Sequence, residues 1–241
     1  MVMDKDLVWR LIAANHPEMK RENFPVDDPY MFMEIVVNNC CRFTAQPGMR
    51  VLDIGANIGV FTTLCALAGA VVVAVEPHPG ARAQLEETLR RNHIENKVKI
   101  FPFAVNSYNG KCNYHPTTTT GTNIEHTWIS YNGSINTSEA AIEEQIPCWA
   151  LSTFIVDQQW DCVKMDIEGA EFDILLNTSA EIFKRIDYLT VELHNGWASL
   201  EKYKALIAKL SASFDIDGLY EPDPEFAGET RLVSVFATRV K

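Results

Sequence analysis

Two glycines and a carboxylate are spaced in this sequence like the residues that hold the ribose of an adenosine. Gly55 ends the apolar run RVLDIG, Gly59 follows it, and Glu76 ends the next apolar run, 21 positions after Gly55. At the first strand-to-helix turn of an α/β sheet, glycines let a ligand approach the backbone, and an acid ending the second strand accepts hydrogen bonds from ribose hydroxyls. The spacing predicts an adenosine-bearing cofactor.

Asp53 distinguishes among adenosine cofactors. Dinucleotide-binding turns favour G-x-G-x-x-G facing a pyrophosphate, whereas this turn reads G-A-N-I-G and follows Asp53 by two positions. A carboxylate there would repel a pyrophosphate but suits the ammonium and sulfonium charges of S-adenosylmethionine. We expect Asp53 near the amino acid tail, because negative charge at the sulfur would stabilise the ground state more than the transition state.

A second group of ionisable residues falls where two later apolar runs end, and it consists of Asp166, Glu168, Glu171, Glu192 and His194. One interpretation is general base catalysis, since an aliphatic hydroxyl is a weak nucleophile until its proton is accepted. Another is a divalent metal such as Mg²⁺ held by Asp166 and Glu168, which would acidify the hydroxyl directly.

We assign catalytic roles to Asp166, Glu168 and His194, and we expect Glu192 to contact the substrate. A base at His194 predicts activity that falls as the pH drops through ~6.5, the ordinary pKa of histidine. The alternative for His194 is a hydrogen-bonded structural residue. Glu171 is expected to be a surface acid near the amino end of its helix.

The elements that position these residues alternate from Arg50 onward, as in βα units around a parallel sheet. Strands are predicted at residues 50–55, 70–76, 98–105, 161–169, 187–194, 213–220 and 231–240. Helices are predicted at residues 57–68, around Leu85, at 170–176 and around Tyr203, where apolar residues recur at helical spacing. The turn-rich stretch 221–229 joins the last two strands.

Two segments lie outside this rhythm. Residues 1–45 are predicted to be an N-terminal helical segment packing on the domain of residues 46–241, with Leu7, Val8, Leu11 and Ile12 on one helix face. The polar segment 106–145 predicts a cap of short strands or turns over the site. Within it, Trp128 and Tyr131 are candidates for stacking on a substrate ring, the alternative being that they fill the core of the cap.

The composition of the chain limits the classes of binding partner and the cellular location that we expect. Lys and Arg number 21 against 32 Asp and Glu, for a net charge of −11, so phosphate counterion release would add nothing and nucleic acid is not an expected partner. The apolar run 70–75 is far shorter than the ~20 residues of a membrane span. The start of the chain does not resemble an export signal, and the six cysteines contain no C-x-x-C pair. These features favour reduced thiols and a cytoplasmic location.

The motifs VLDIGANIGVFTTLCA, VEPHPGARAQLEETLRRN, DCVKMDIEGAEFDIL and VELH resemble the FkbM-type S-adenosylmethionine-dependent methyltransferases. The resemblance covers roughly Pro47 to Trp197. It implies a Rossmann-like class I methyltransferase fold of the α/β class, with a seven-stranded, mostly parallel sheet, helices on both faces and an antiparallel last strand. It also implies O-methylation of a hydroxyl on a sugar, glycan or polyketide-type small molecule.

Carried over by position, the resemblance implies a cofactor site made of Asp53, Gly55, Ala56 and Asn57 around the methionine part, Glu76 with Pro77 at the ribose, and Ala104 with Asn106 at the adenine. It also implies that Asp166 borders the cofactor and the substrate hydroxyl. The chain departs from the family at Leu151-Ser152, where Leu-Asp is common. Any role of that Asp is therefore missing here.

Three other functions are compatible with parts of the pattern. A same-fold enzyme would methylate nitrogen, on a peptide or an amine. An NAD-dependent oxidoreductase would share the adenosine-binding layout. A non-catalytic adenosine-binding module would make the acids between Asp166 and His194 dispensable, and their clustering disfavours it.

Overall fold

A computed structural model describes residues 4–25, 28–122, 127–134, 144–194, 200–217 and 233–240, with the side chains of 115–122, 127–134 and 233 excepted. The predicted helix marker Trp197 and the turn-rich stretch 221–229 lie outside the described residues. The chain divides into a first unit, Met1–Pro102 with Thr117–Asn132, and a second unit, Phe103–Pro116 with Gly133–Lys241.

The first unit contains three parallel strands and the helices between them. They are β1 (Arg50–Ile54), α3 (Val60–Leu67), β2 (Val71–Val75), α4 (Pro79–Arg91) and β3 (Val98–Phe101). Leu52 pairs with Val73, and Val73 pairs with Lys99. Helix α3 starts later than residue 57, where it was predicted to start. Residues 57–59 instead form the turn after β1, in which Gly59 adopts a left-handed φ of +85°.

The N-terminal part of the first unit is helical. It comprises α1 (Lys5–Asn15), a 3-10 turn at Arg21–Asn23, α2 (Pro29–Phe32) and a π-helical turn at Met33–Val37. Asp4 caps α1 by accepting the N–H groups of Asp6 and Leu7, as N-cap acids commonly do. The buried face of α1 consists of Val8, Trp9 and Ile12. The predicted face was wrong at Leu7, which is 45% exposed.

An aromatic core joins this N-terminal part to α3. The ring centroids of Trp9 and Phe32 lie 4.7 Å apart, and Phe24 meets Phe32 edge to face at 4.9 Å. The same apolar cluster buries Ile58 and Val60, which follow β1. Side chains of the N-terminal part, from Val8 to Val36, therefore pack against Ile58 and Val60.

The described residues of the second unit include the remaining strands of the main sheet and the helices that accompany them: α5 (Leu151–Ile155), β8 (Cys162–Met165), α6 (Glu171–Asn177), α7 (Ala180–Phe183), β9 (Tyr188–Leu193), α8 (Leu200–Ser211), β10 (Phe214–Asp217) and β11 (Val233–Arg239). Met165 pairs in parallel with Val191, whereas β11 runs antiparallel to both β9 and β10. Buried Val, Leu and Met residues on β8 and β9 explain why both strands read as continuous apolar runs.

The seven strands follow the order β10-β11-β9-β8-β1-β2-β3. A mostly parallel sheet with an antiparallel last strand in sequence is the predicted Rossmann-like class I methyltransferase fold, which is confirmed. Among the described residues, no helix combines the length and the apolar character that crossing a membrane requires.

A separate four-stranded sheet has the order β4-β7-β5-β6, from β4 (Ala104–Asn106), β5 (Gly110–Thr122), β6 (Thr127–Ser134) and β7 (Glu144–Ala150). The single strand predicted at residues 98–105 was wrong, since β3 and β4 belong to different sheets. Pro102, which lacks a backbone N–H, lies between them. The segment predicted as short strands or turns contains the 13-residue β5.

Candidate active site

The candidate cofactor turn, residues 55–59, connects β1 to α3 in the first unit. The backbone N–H groups of Gly55 and Ala56 donate to the Val75 carbonyl at 2.9 and 3.2 Å. Asn57 has a left-handed φ of +51°, which asparagine tolerates better than most residues. Its N–H donates to Glu76 Oε2 at 2.8 Å. The turn after β1 is thereby fastened to the end of β2.

Asp53 lies beneath this turn. Its side chain is fully buried, and Oδ2 accepts a hydrogen bond from the Thr62 hydroxyl at 2.5 Å. This contact joins the end of β1 to α3. The carboxylate lies in the interior of the first unit. Its predicted place beside the ammonium group of the cofactor stays a prediction. Thr62 lies within the predicted helix 57–68, but nothing in the sequence marked it as a partner of Asp53.

Glu76 ends β2 with both carboxylate oxygens engaged by the backbone. Oε2 accepts the Asn57 N–H, and Oε1 accepts the His78 N–H at 2.7 Å. The side chain is only 7% exposed. The Pro77 carbonyl accepts a hydrogen bond from Arg82 Nη1 at 2.6 Å, which holds the residue after Glu76 in place. Two independent segments thus fix the orientation of one carboxylate.

Gly59 has a packing role of its own. A β-carbon added there would lie 2.1 Å from Leu85 Cδ1. Leu85 is fully buried on α4. A glycine at this position therefore allows α3 to start against α4, independently of any ligand.

These residues fit S-adenosylmethionine by the chemistry of their groups. A carboxylate at the end of β2 suits ribose hydroxyls. Gly55 and Asn57 are half-buried and have positive φ values. These two residues shape the turn whose backbone a ligand would contact. The predicted adenine residues Ala104 and Asn106 belong to the second unit, are 5% exposed and lie on β4. Asn106 Oδ1 accepts the Ser107 N–H at 2.7 Å.

The ionisable cluster of the second unit assembles around His194, one residue after β9. His194 Nδ1 lies 2.9 Å from Glu171 Oε1, and Nε2 lies 3.2 Å from Glu168 Oε2. Nε2 is also 3.8 Å from Asp166 Oδ1 and 3.9 Å from Glu192 Oε1. All five residues named from the sequence at these strand ends are therefore brought together.

Glu171 anchors the cluster, and the expectation of a surface acid was wrong. It is fully buried, and its carboxylate accepts the N–H groups of Ile167 at 3.1 Å and Gly169 at 3.1 and 3.2 Å. The turn that it binds includes Glu168, whose φ is +61°. Because Glu171 follows the turn at the first position of α6, its carboxylate folds back onto the turn and meets His194.

The charges of the cluster shift two pKa values. Burial alone would lower the pKa of His194, but the hydrogen bond and charge of Glu171, with the charges of Glu168 and Asp166, raise it to about 9. Burial raises the pKa of Glu168, although the His194 charge acts in the opposite direction. At neutral pH His194 is therefore an imidazolium, hydrogen-bonded to Glu171 through Nδ1 and ion-paired with Glu168 through Nε2.

Lys164 is a further member that the sequence analysis missed. Its ammonium group, on the buried strand β8, lies 3.4 Å from Asp166 Oδ2. The lysine side chain is 9% exposed. A lysine inside the apolar run DCVKM was the available signal, since lysine is rarely buried without a partner.

A metal could draw on Asp166, Glu192 and His194, each of which offers one ligand atom within 4.8 Å of the others. This set contains Glu192 where the sequence analysis paired Asp166 with Glu168. The candidate substrate residues Trp128 and Tyr131 lie on β6, and their side chains are outside the described residues.

The comparison with protein families identifies the chain. The model of the methyltransferase FkbM domain matches residues 53–216, more than half of the 241 residues. The chain therefore belongs to the FkbM methyltransferase family and is a methyltransferase with a class I fold. The family supports S-adenosylmethionine as the cofactor and decides against the NAD-dependent oxidoreductase. A search of curated proteins found no match.

Three solved structures that are similar to the chain come from proteins with different descriptions. Precorrin-6y C5,15-methyltransferase from Geobacter metallireducens GS-15 has 10% identity and a TM-score of 0.48, with 92% of this chain and 97% of that chain covered. An rRNA methylase from Streptococcus thermophilus has 11% identity and a TM-score of 0.47, covering 82% and 90%. A Streptococcus mutans protein in complex with SAH has 11% identity and a TM-score of 0.47, covering 85% and 96%.

Proposed function

We propose that the protein is an S-adenosylmethionine-dependent O-methyltransferase acting on a hydroxyl of a sugar, a glycan or a polyketide-type small molecule. The observation that carries the proposal is the His194 cluster, in which a buried glutamate holds the imidazolium 3.2 Å from Glu168. A cluster of groups that can take up a proton suits a methyl acceptor that must lose a proton when it is methylated. An aliphatic hydroxyl is such an acceptor.

The proton of the acceptor hydroxyl goes to a carboxylate in this proposal. S-adenosylmethionine, when bound, supplies an electrophilic methyl group, so the acceptor oxygen gains a methyl group as its proton leaves. Glu168 is the proposed proton acceptor, because burial raises its pKa and makes it a stronger base than an ordinary glutamate. With a pKa of about 9, His194 is protonated at neutral pH, so it is proposed to orient Glu168 through their ion pair of 3.2 Å.

Asp166 and Glu192 complete the proposed acceptor site. Their carboxylates lie 3.8 and 3.9 Å from His194 Nε2. Two carboxylates with acceptor-only oxygens near Nε2 suit a substrate with several hydroxyl groups, each of which donates one hydrogen bond. Lys164 keeps Asp166 in place through their 3.4 Å ion pair.

The decisive experiment screens methyl acceptors by mass spectrometry with the purified protein and isotopically labelled S-adenosylmethionine. Once an acceptor is found, we expect Glu168→Gln to lose about 10²- to 10⁴-fold in turnover, the usual contribution of a general base. The matched control is Glu181→Gln, an exposed glutamate paired with Lys184 on α7. Wild-type turnover in Glu168→Gln would contradict the proposed base, and label found only on nitrogen would contradict O-methylation.

N-methylation of an amine or peptide is the second candidate. The specific observation is the charge of the cluster, in which four carboxylates face Lys164 and His194. A surplus of negative charge also favours a cationic amine acceptor. The same labelled screen, run with polyols and with amines of matched size, separates the two candidates.

A metal-assisted version of the reaction has a separate test. If a divalent cation acidified the hydroxyl, a chelator would silence the enzyme and Mg²⁺ would restore it, with Asp166→Asn more damaging than His194→Ala. The proposed carboxylate base instead predicts full activity in the presence of the chelator.

The location and partners belong to the same proposal. The six cysteines, all among the described residues, form no disulfide, which supports the proposal of a cytoplasmic protein. The absence of nucleic acid among its partners stays a prediction based on the net charge of −11. A filter-binding measurement with RNA at low salt tests it.

A further inference from the structure

His78 connects the cofactor carboxylate to the start of α4. It is the N-cap residue of α4, lies between Pro77 and Pro79, and is 6% exposed. Its backbone N–H donates to Glu76 Oε1 at 2.7 Å, and its side chain accepts the N–H groups of Gly80 and Ala81. One residue therefore holds Glu76 with its backbone and the helix with its imidazole.

The hydrogen bonds of the imidazole define its protonation state. Nδ1 lies 3.1 Å from the Gly80 nitrogen and 3.4 Å from the Ala81 nitrogen. Both nitrogens carry hydrogen, so Nδ1 must present its lone pair. The ring is then neutral with its proton on Nε2, because a protonated imidazole has no acceptor to offer.

We propose that His78 is a positioning residue for the cofactor site, and that its neutral imidazole keeps Glu76 oriented for the ribose. Protonation places hydrogen on Nδ1, opposite two backbone N–H groups, and removes the cap. The backbone of His78 then loses the contact that fixes it, and with it the hydrogen bond to Glu76 weakens. The inference rests on the proposed function, since it treats Glu76 as the ribose carboxylate.

Glu76 and Arg82 are charged groups in contact with the His78 segment. The Glu76 carboxylate accepts the His78 N–H, and Arg82 Nη1 donates to the carbonyls of Glu76 at 3.1 Å and Pro77 at 2.6 Å. Protonation of Glu76 in acid would also weaken ribose binding. The experiment must therefore separate the two groups.

The test compares SAH binding by calorimetry for wild type, His78→Ala and His78→Asn, at about pH 8 and about pH 5.5, a range across which histidine ordinarily changes charge. Asparagine is a good N-cap and does not titrate. At pH 8 we expect His78→Ala to bind about fivefold more weakly, from an N-cap loss of about 1 kcal/mol. We expect His78→Asn to match wild type there. The exposed His93→Asn is the control.

The acid arm isolates the imidazole. Between pH 8 and pH 5.5, wild type should lose about fivefold more affinity than His78→Asn, because both retain Glu76 and only one retains a titrating cap. A second readout needs no ligand: nitrogen NMR of the protein alone should show the His78 tautomer with the proton on Nε2.

Each outcome decides the inference. Equal acid losses in wild type and His78→Asn, unchanged affinity in His78→Ala, or a proton on Nδ1 at neutral pH would overturn it. Absence of SAH binding by wild type would instead overturn the proposed function, and with it the role of Glu76. Wild-type binding with unchanged His78 variants leaves the proposed function standing and removes only the positioning role.

Discussion

Glu76 in the first unit and the carboxylates of the His194 cluster in the second unit are held in place by different means. Glu76 accepts two backbone N–H groups, from Asn57 and His78. In the second unit, Glu171 also accepts backbone N–H groups, but Glu168 and Asp166 have their described contacts with the side chains of His194 and Lys164. Backbone donors keep one charge state at every ordinary pH, whereas side-chain partners titrate.

This difference predicts which pH range should affect each unit. The geometry at Glu76 depends on the backbone and on one histidine cap. The geometry at Glu168 depends on a histidine whose pKa is raised to about 9. We therefore expect stability and catalysis in the second unit to change in the alkaline range, while cofactor binding in the first unit changes in the acid range.

Removing the anchor of the cluster should have the largest effect. Glu171→Ala leaves His194 and two backbone N–H groups without their buried acceptor. We expect the free energy of unfolding to fall by about 3 to 5 kcal/mol, the usual cost of breaking a buried charged pair. Urea denaturation measures it, with Glu181→Ala at an exposed pair as control. A loss below about 1 kcal/mol would mean that the cluster is held mainly by other contacts.

A methyl group at Gly59 tests the packing of the cofactor turn without touching a charge. Gly59→Ala combines a left-handed φ of +85° with a β-carbon 2.1 Å from Leu85 Cδ1. We expect a loss of about 2 to 4 kcal/mol in unfolding free energy, from backbone strain and overpacking together. The control is Gly48→Ala, where φ is +84° but nothing lies within 4 Å of the added atom. Equal losses would assign the effect to backbone strain alone.

Glu76→Ala measures what two backbone donors hold in place. The proposed ribose contact predicts SAH binding weaker by about 1.5 to 3 kcal/mol, the scale of hydrogen bonds to a charged group. Calorimetry with the exposed Glu86→Ala on α4 as control gives the difference. Unchanged affinity would remove Glu76 from the cofactor site.

The pH dependence of stability is the smallest effect and the sharpest for the comparison. A folded-state pKa of about 9 for His194 stabilises the fold fully below its unfolded value near ~6.5, and this stabilisation is lost as the pH rises through 9. We expect a fall on the order of 2 kcal/mol after allowance for solvent screening. His194→Gln should flatten the profile in urea denaturation, and the same fall in both proteins would assign it to other groups.

Much of the fold and part of the site could be predicted from the sequence. Strands such as β1 and β2 are short apolar runs, and Glu76 stands at the end of one, so periodicity places them. The pattern of apolar residues does not show where a strand is interrupted. The single strand predicted at residues 98–105 is therefore divided at Pro102 into β3 and β4, which belong to different sheets. A local pattern also gives no burial for Glu171, because that burial depends on His194, 23 positions later.

The raised pKa of His194 was equally beyond the sequence. It depends on three carboxylates whose distances from the imidazole are set by the turn after β8 and by the end of β9. The fully buried position of Asp53 depends likewise on Thr62, one element further on. Long-range contacts of this kind change what a correctly located residue does.

The aromatic core of Trp9, Phe24 and Phe32 lies outside the part of the chain that the family model matches. The family match starts at residue 53, yet Ile58 and Val60 are buried by side chains from the first 37 residues. A protein trimmed to residues 53–216 would expose both side chains beside the cofactor turn, creating an apolar patch prone to self-association. The boundary of the recognisable domain is therefore the wrong place to cut this chain for expression.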